Sequence, residues 1–76
     1  MNTEELKRKL DHAGVPEDYY ELLSNDLPNE KLCLNQVNDQ MWEVYYSEHG
    51  QRTGQKSFIK EEDACDYMYS KLMKYV

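Results

Sequence analysis

The chain has no apolar run approaching the roughly 18 residues that a membrane span requires, and MNTEELKRKLDHAG holds no apolar segment of the secretory type. These absences point to a soluble protein of the cytoplasm. Cysteine is scarce: Cys33 and Cys65 are the two present, with no CxxC spacing. They read as reduced, partly buried thiols rather than a disulfide or redox pair. Basic residues are outnumbered, 9 Lys and Arg against 15 Asp and Glu, for a net charge of −6. With no Lys/Arg stripe to release counterions, the chain repels a polyanion, which argues against nucleic acid and for a basic protein as partner. GxSxG, HExxH, GxGxxG and the Walker pattern are also missing, so no motif names a hydrolytic, phosphate-binding or redox reaction. His12 follows Asp11 at a helix end, where it complements the helix dipole, and His49 follows Glu48 in a hairpin loop. No nucleophile–base pair or metal-ligand cluster can be assembled, so a non-enzyme without cofactor or metal is expected.

What is present specifies a small folded unit. At 76 residues the chain is one domain, residues 1–76, near the lower size at which an apolar core suffices and with little room for a pocket of a few hundred Å³. Seven Tyr, one Trp and one Phe supply the bulk that a disordered chain lacks. The negative charge is at the two ends: residues 1–29 carry −4, residues 30–60 are balanced, and residues 61–76 carry −2.

Thr3-Glu4-Glu5-Leu6 opens like a helix, with a hydroxyl cap and acids in its first turn, and Leu6, Leu10 and Ala13 recur at i, i+4, i+7 before Gly14 ends it. Pro16 suits the start of a second helix, in which Tyr19, Leu22 and Leu23 form an i, i+3, i+4 stripe; the alternative is one helix followed by a short helical turn. Asn25-Asp26-Leu27-Pro28-Asn29 then breaks the chain. From Glu30 the period drops to two. Lys31 to Val37 and Gln40 to Ser47 read as strands about an Asn38-Asp39 turn; GQRTG reads as a polar loop, and Gln55 to Ile59 as a third strand. Loops this short imply an antiparallel meander. The last helix starts with Glu61-Glu62-Asp63 and buries Ala64, Cys65, Met68, Leu72 and Met73. The expected fold is therefore α+β, in the order α, (α), β, β, β, α, with the helices on one face of a three-stranded antiparallel sheet.

Trp42-Glu43-Val44-Tyr45-Tyr46-Ser47-Glu48-His49-Gly50 places aromatics on both sides of one strand. Even positions Trp42, Val44 and Tyr46, with Phe58, are expected to face the helices; odd positions Glu43, Tyr45, Ser47 and His49 face away. Tyr45 on that outward face, with the pairs Tyr19-Tyr20 and Tyr67-Tyr69, provides more aromatic positions than a small core needs, and tyrosine is a frequent interface residue. The expected contact residues are Glu43, Tyr45, Glu48, Glu62, Asp63 and Asp66, with Tyr45 as the central anchor. The order α, β, β, β, α is also that of double-stranded RNA-binding domains, which grip phosphates with lysines at the start of the last helix. Here that position reads KEEDAC, acids where cations are required.

GVPEDYYELL, DLPNEKLCL, WEVYYSEHG and FIKEEDACDYMYSKL, which together cover about Val15 to Leu72, resemble the small bacterial immunity proteins of polymorphic and contact-dependent toxin systems. In that pattern an arginine commonly precedes the strand-ending glycine, where this chain has His49, and a small capping residue stands at the position of Lys60. The resemblance implies a cytoplasmic, non-enzymatic protein that binds a cognate toxin domain and blocks its active site or substrate groove; an acidic chain complements a basic nuclease. The competing reading is a regulatory or adaptor domain, monomer or weak homodimer, associating through an edge strand or the outer sheet face.

Overall fold

The computed structural model describes residues 1–23 and 30–75. Helix α1, Thr3–Ala13, is capped by Asn2 rather than Thr3: Asn2 Oδ1 accepts the Glu5 N–H at 2.9 Å. The Thr3 N–H instead donates to Glu61 Oε2, also at 2.9 Å. Leu6 and Leu10 are fully buried and Ala13 packs on the same cluster, as the spacing requires. Gly14, at φ 82, closes the helix by donating its N–H to the Asp11 and Leu10 carbonyls, a left-handed cap for which glycine has no steric penalty.

The second helix is replaced by a 3₁₀ turn, Glu17–Tyr19, and a short strand β1, Tyr20–Leu22. The apolar spacing there has two readings, and the period-two one prevails. Tyr20 is buried and Leu22 packs against the core, while Tyr19 and Leu23 are exposed; Glu21, between the two inward residues, meets Lys31 Nζ at 3.4 Å. The expected break at Asn25–Asn29 lies outside the described residues.

Strands β2 (Lys31–Asn38), β3 (Met41–Glu48) and β4 (Gln51–Phe58) form the expected antiparallel meander. β1 adds to β2 in parallel, so the sheet has four strands in the order β1-β2-β3-β4, mixed rather than purely antiparallel. Asn38 Oδ1 accepts the Gln40 N–H at 2.8 Å and tightens the β2–β3 turn. The GQRTG segment is not a loop. The β3–β4 turn is His49-Gly50 alone, with φ of 51 and 75, the pair of positive values that matches strand twist in a two-residue hairpin. Gly54, φ 61, lies where the register shifts between the Val44 and Tyr46 pairings, the place of a bulge. β4 is polar because it is an edge strand, exposed along nearly all its length; charge and a bulge discourage edge pairing.

Helix α2, Glu61–Leu72, covers one sheet face. Its Ala64, Cys65, Met68 and Leu72 are fully buried against Leu34, Val44, Leu6 and Leu10, and a 3₁₀ turn, Met73–Tyr75, follows. Trp42 and Phe58 pair across β3 and β4 on this face, and the Phe58 and Tyr67 rings lie 5.3 Å apart. Lys60 caps α2 without a side-chain bond. The Glu61 carboxylate in the first turn of α2 binds the first turn of α1, so one negative group serves the positive ends of two helices.

The hairpin geometry can be tested. Gly50→Ala adds a methyl with no atom within 4 Å, so its cost is the left-handed backbone alone, about 1 kcal/mol in urea unfolding. Gly50→Asn is expected to cost less; equal stability of wild type and Gly50→Ala would contradict the turn.

Candidate interaction surfaces

Cross-strand pairs define the face away from the helices: Asn35 with Glu43, Cys33 with Tyr45, and Lys31 with Ser47. The odd-out parity of β3 is therefore as read from the sequence. Tyr46, opposite Leu32, shares the helix-side face but is only half-buried; with Tyr19, Glu30 and Leu32 it lines an apolar cleft of about 250 Å³.

Tyr45 is not an exposed anchor. Its relative exposure is 0%. The Arg52 guanidinium from β4 lies 4.4 Å from the ring centroid and donates through Nη1 to Glu43 Oε1 at 2.8 Å. Asn35 Nδ2 donates to the Tyr45 hydroxyl oxygen at 2.9 Å, and Cys33 pairs with Tyr45 from β2. Glu43 is thereby committed to an ion pair, with its side chain only 17% exposed. Ser47 is fully buried beside this cluster, and its hydroxyl has no hydrogen-bond partner among the described residues.

The electrostatics follow from burial. It raises the Tyr45 hydroxyl and the Cys33 thiol above their ordinary values, and the Cys65 thiol to about 11, with the nearby Glu61 carboxylate adding to the rise. Both thiols are free and fully buried, rather than partly buried as the sequence suggested.

The other expected contact residues divide between two sides. Glu48 ends β3, half-buried, with Oε1 3.8 Å from His49 Nε2. Glu62, Asp63 and Asp66 are exposed on α2, opposite the face that carries Ala64, Cys65, Met68 and Leu72. No cation is paired with any of the three among the described residues. The domain is 17 Å across its thinnest dimension, with Glu43 and Tyr45 beyond the sheet and the three acids beyond the helix layer. One flat partner surface cannot engage both groups. The tyrosine pairs mostly serve packing: Tyr20 is buried, Tyr67 and Tyr69 pack against the core, and Tyr19 is exposed.

Two features went unread in the sequence. The helix N-termini enclose an open groove of about 480 Å³ lined by Met1, Asn2, Glu5, Lys60, Glu61 and Glu62. Val37, Met41 and Ile59 are exposed at one end of the sheet. The acids that begin each helix signalled the first; only the strand register could bring the second together.

Tyr45→Phe leaves the Asn35 amide buried without its acceptor and should cost about 1–2 kcal/mol, while Arg52→Ala uncovers the ring and should cost about 1 kcal/mol. The two changes are expected to be non-additive in a double-mutant cycle by urea unfolding. The folded Cys65 thiol, at about 11 against an ordinary 9.0, holds its proton more tightly than the unfolded one. Its contribution is complete below pH 9 and is lost as pH rises through 11, with Cys33, Tyr20 and Tyr45 shifted the same way. Thermal melts should show Tm falling over that window, less so in Cys65→Ala; a Tm unchanged to about pH 11 would contradict it. No protein-family model, curated protein or solved structure matches the chain, so a functional reading must come from these residues themselves.

Proposed function

We propose that the domain is a non-enzymatic protein-binding module that neutralises a basic partner, as an immunity protein neutralises its cognate bacterial toxin domain, and that it acts in the cytoplasm. One observation carries this reading: Glu62, Asp63 and Asp66 stand exposed on the solvent face of α2, with no paired cation among the described residues. Helix energetics explain the first two, because acids in a first turn complement the dipole. They do not explain Asp66, which lies beyond that turn and one turn from the like charge of Glu62, where a lysine would be the stabilising choice. A carboxylate kept at a local cost fits a surface selected for binding a cation-rich groove. Charge of this kind raises association rate and discriminates against wrong partners. The same acids repel a nucleic-acid backbone, so a nuclease partner is met through its basic substrate groove rather than through its substrate.

Stability and binding respond in opposite directions to charge at Asp66. Asp66→Lys is expected to raise stability by about 0.5 kcal/mol, because the introduced ammonium attracts Glu62 one turn earlier where the native carboxylate repels it, while weakening capture of the partner from the native host. Reversal of Glu62, Asp63 and Asp66 together to Lys should abolish capture with the fold intact, and binding by the wild type should weaken at least roughly tenfold between about 0.05 and 0.5 M salt. A basic captured protein that binds the reversed variant equally well would refute the assignment to α2, and capture of no basic protein would refute the function.

A further inference from the structure

The turn end of the β2–β3 hairpin carries three apolar side chains that neither the core nor the α2 surface uses: Val37, Met41 and Ile59, 51%, 39% and 80% exposed. The register brings them together. Trp42 pairs with Gln36 on one side and Phe58 on the other, and Met41 pairs with Asn38. Val37 and Asn38 therefore both stand opposite Met41, at the register shift, while Ile59 comes one residue after the Phe58 pair. Trp42 and Phe58 pack toward the helices, so alternation sends Met41 to the opposite face and the bulge gives Val37 the same side, while Ile59, in the bend between β4 and α2, is exposed at this same end of the sheet. Exposed apolar side chains gathered in one place, unlike single scattered ones, mark interaction sites.

We propose that this patch is a self-association surface on which a second copy of the chain packs about a two-fold axis. Charge selects this occupant. Most of the net −6 lies on other surfaces, and on the outer sheet face the charged groups pair off, Arg52 with Glu43 at 2.8 Å and Lys31 with Glu21 at 3.4 Å. A basic partner gains nothing from a balanced face, whereas two acidic chains can meet there without opposing like charges. The exposed charges that flank the patch in sequence, Asp39 and Lys60, are opposite in sign, as an isologous contact needs if they are to face each other across the axis. Pairing through the β4 edges is the competing geometry. Antiparallel pairing centred on Gly54 sets Arg52 of one copy against Lys56 of the other, and like charges directly opposed disfavour it. Three side chains are far fewer than the roughly 20–30 residues a side of a stable interface, so association is weak and concentration-dependent.

Sedimentation of the full chain between about 10 μM and about 1 mM spans the range a weak dimer requires. The mass is expected to rise from 9.1 kDa toward twice that value, and more readily at about 0.5 M than at about 0.05 M salt because screening relieves the net repulsion. Ile59→Lys and Met41→Lys, at exposed positions where folding is retained and checked by thermal melts, should each weaken association at least tenfold. Lys56→Glu, which would favour β4 pairing, should leave it unchanged. A chain that stays monomeric at about 1 mM, a dimer that survives both patch substitutions, or a dimer strengthened by Lys56→Glu would each overturn the proposal.

Discussion

The Tyr45 ring lies under the Arg52 guanidinium, with its hydroxyl held by Asn35 and Arg52 held in turn by Glu43. One side chain of β3 thus joins the strands on both its sides. Among the described residues two helices cover one face of a four-stranded sheet and none covers the other, and Val44 is fully buried beneath them. On the other face the sheet's own side chains enclose Tyr45, so the central strand is buried on both faces. The large apolar area of a tyrosine contributes more there than a polar residue would. The arrangement carries a cost: Asn35 and Ser47 are drawn into burial with it, and the Ser47 hydroxyl has no partner among the described residues.

The side chains around Tyr45 also decide where charge is available. Glu43 and Arg52 neutralise each other in covering Tyr45, and Lys31 and Glu21 do the same nearby. The sheet side is left balanced. On the helix side the Glu61 carboxylate ties the first turn of α1 to that of α2, which gathers acids at neighbouring helix starts, while Glu62, Asp63 and Asp66 stay open to solvent. The fold therefore separates an acidic helical surface, suited to a cationic partner, from a neutral sheet surface with apolar residues at one end. The proposed toxin-neutralising role and the proposed self-association use different sides and different forces.

Much of this architecture was legible because periodicity reports burial. The Leu6–Leu10 spacing, the Ala64–Leu72 stripe and the alternation of Trp42 and Val44 each named a buried face. The exposure of the α2 acids followed from the same stripe. β1 was not legible: Tyr20, Glu21 and Leu22 are too few to establish a period, and their neighbours complete a helical spacing equally well. Gly50 and Gly54 both permit positive φ, and sequence alone does not say which one makes a turn and which a bulge. The parity of Tyr45 was readable but its burial was not, because that depends on Arg52 crossing from the next strand. The end patch needed the registers of two pairings at once, which no local pattern encodes.

The structural role of Tyr45 is tested most directly by NMR on the intact chain, through the Arg52 side-chain resonances and the pH titration of the Tyr45 ring carbon that bears the hydroxyl. Ring-current shifts should move the Arg52 signals upfield, and the Tyr45 hydroxyl should ionise above its ordinary value of 10.0, as burial requires. Unshifted Arg52 signals together with Tyr45 ionising at 10.0 would mean that the ring is open to solvent, and the outer sheet face would again be a candidate binding surface.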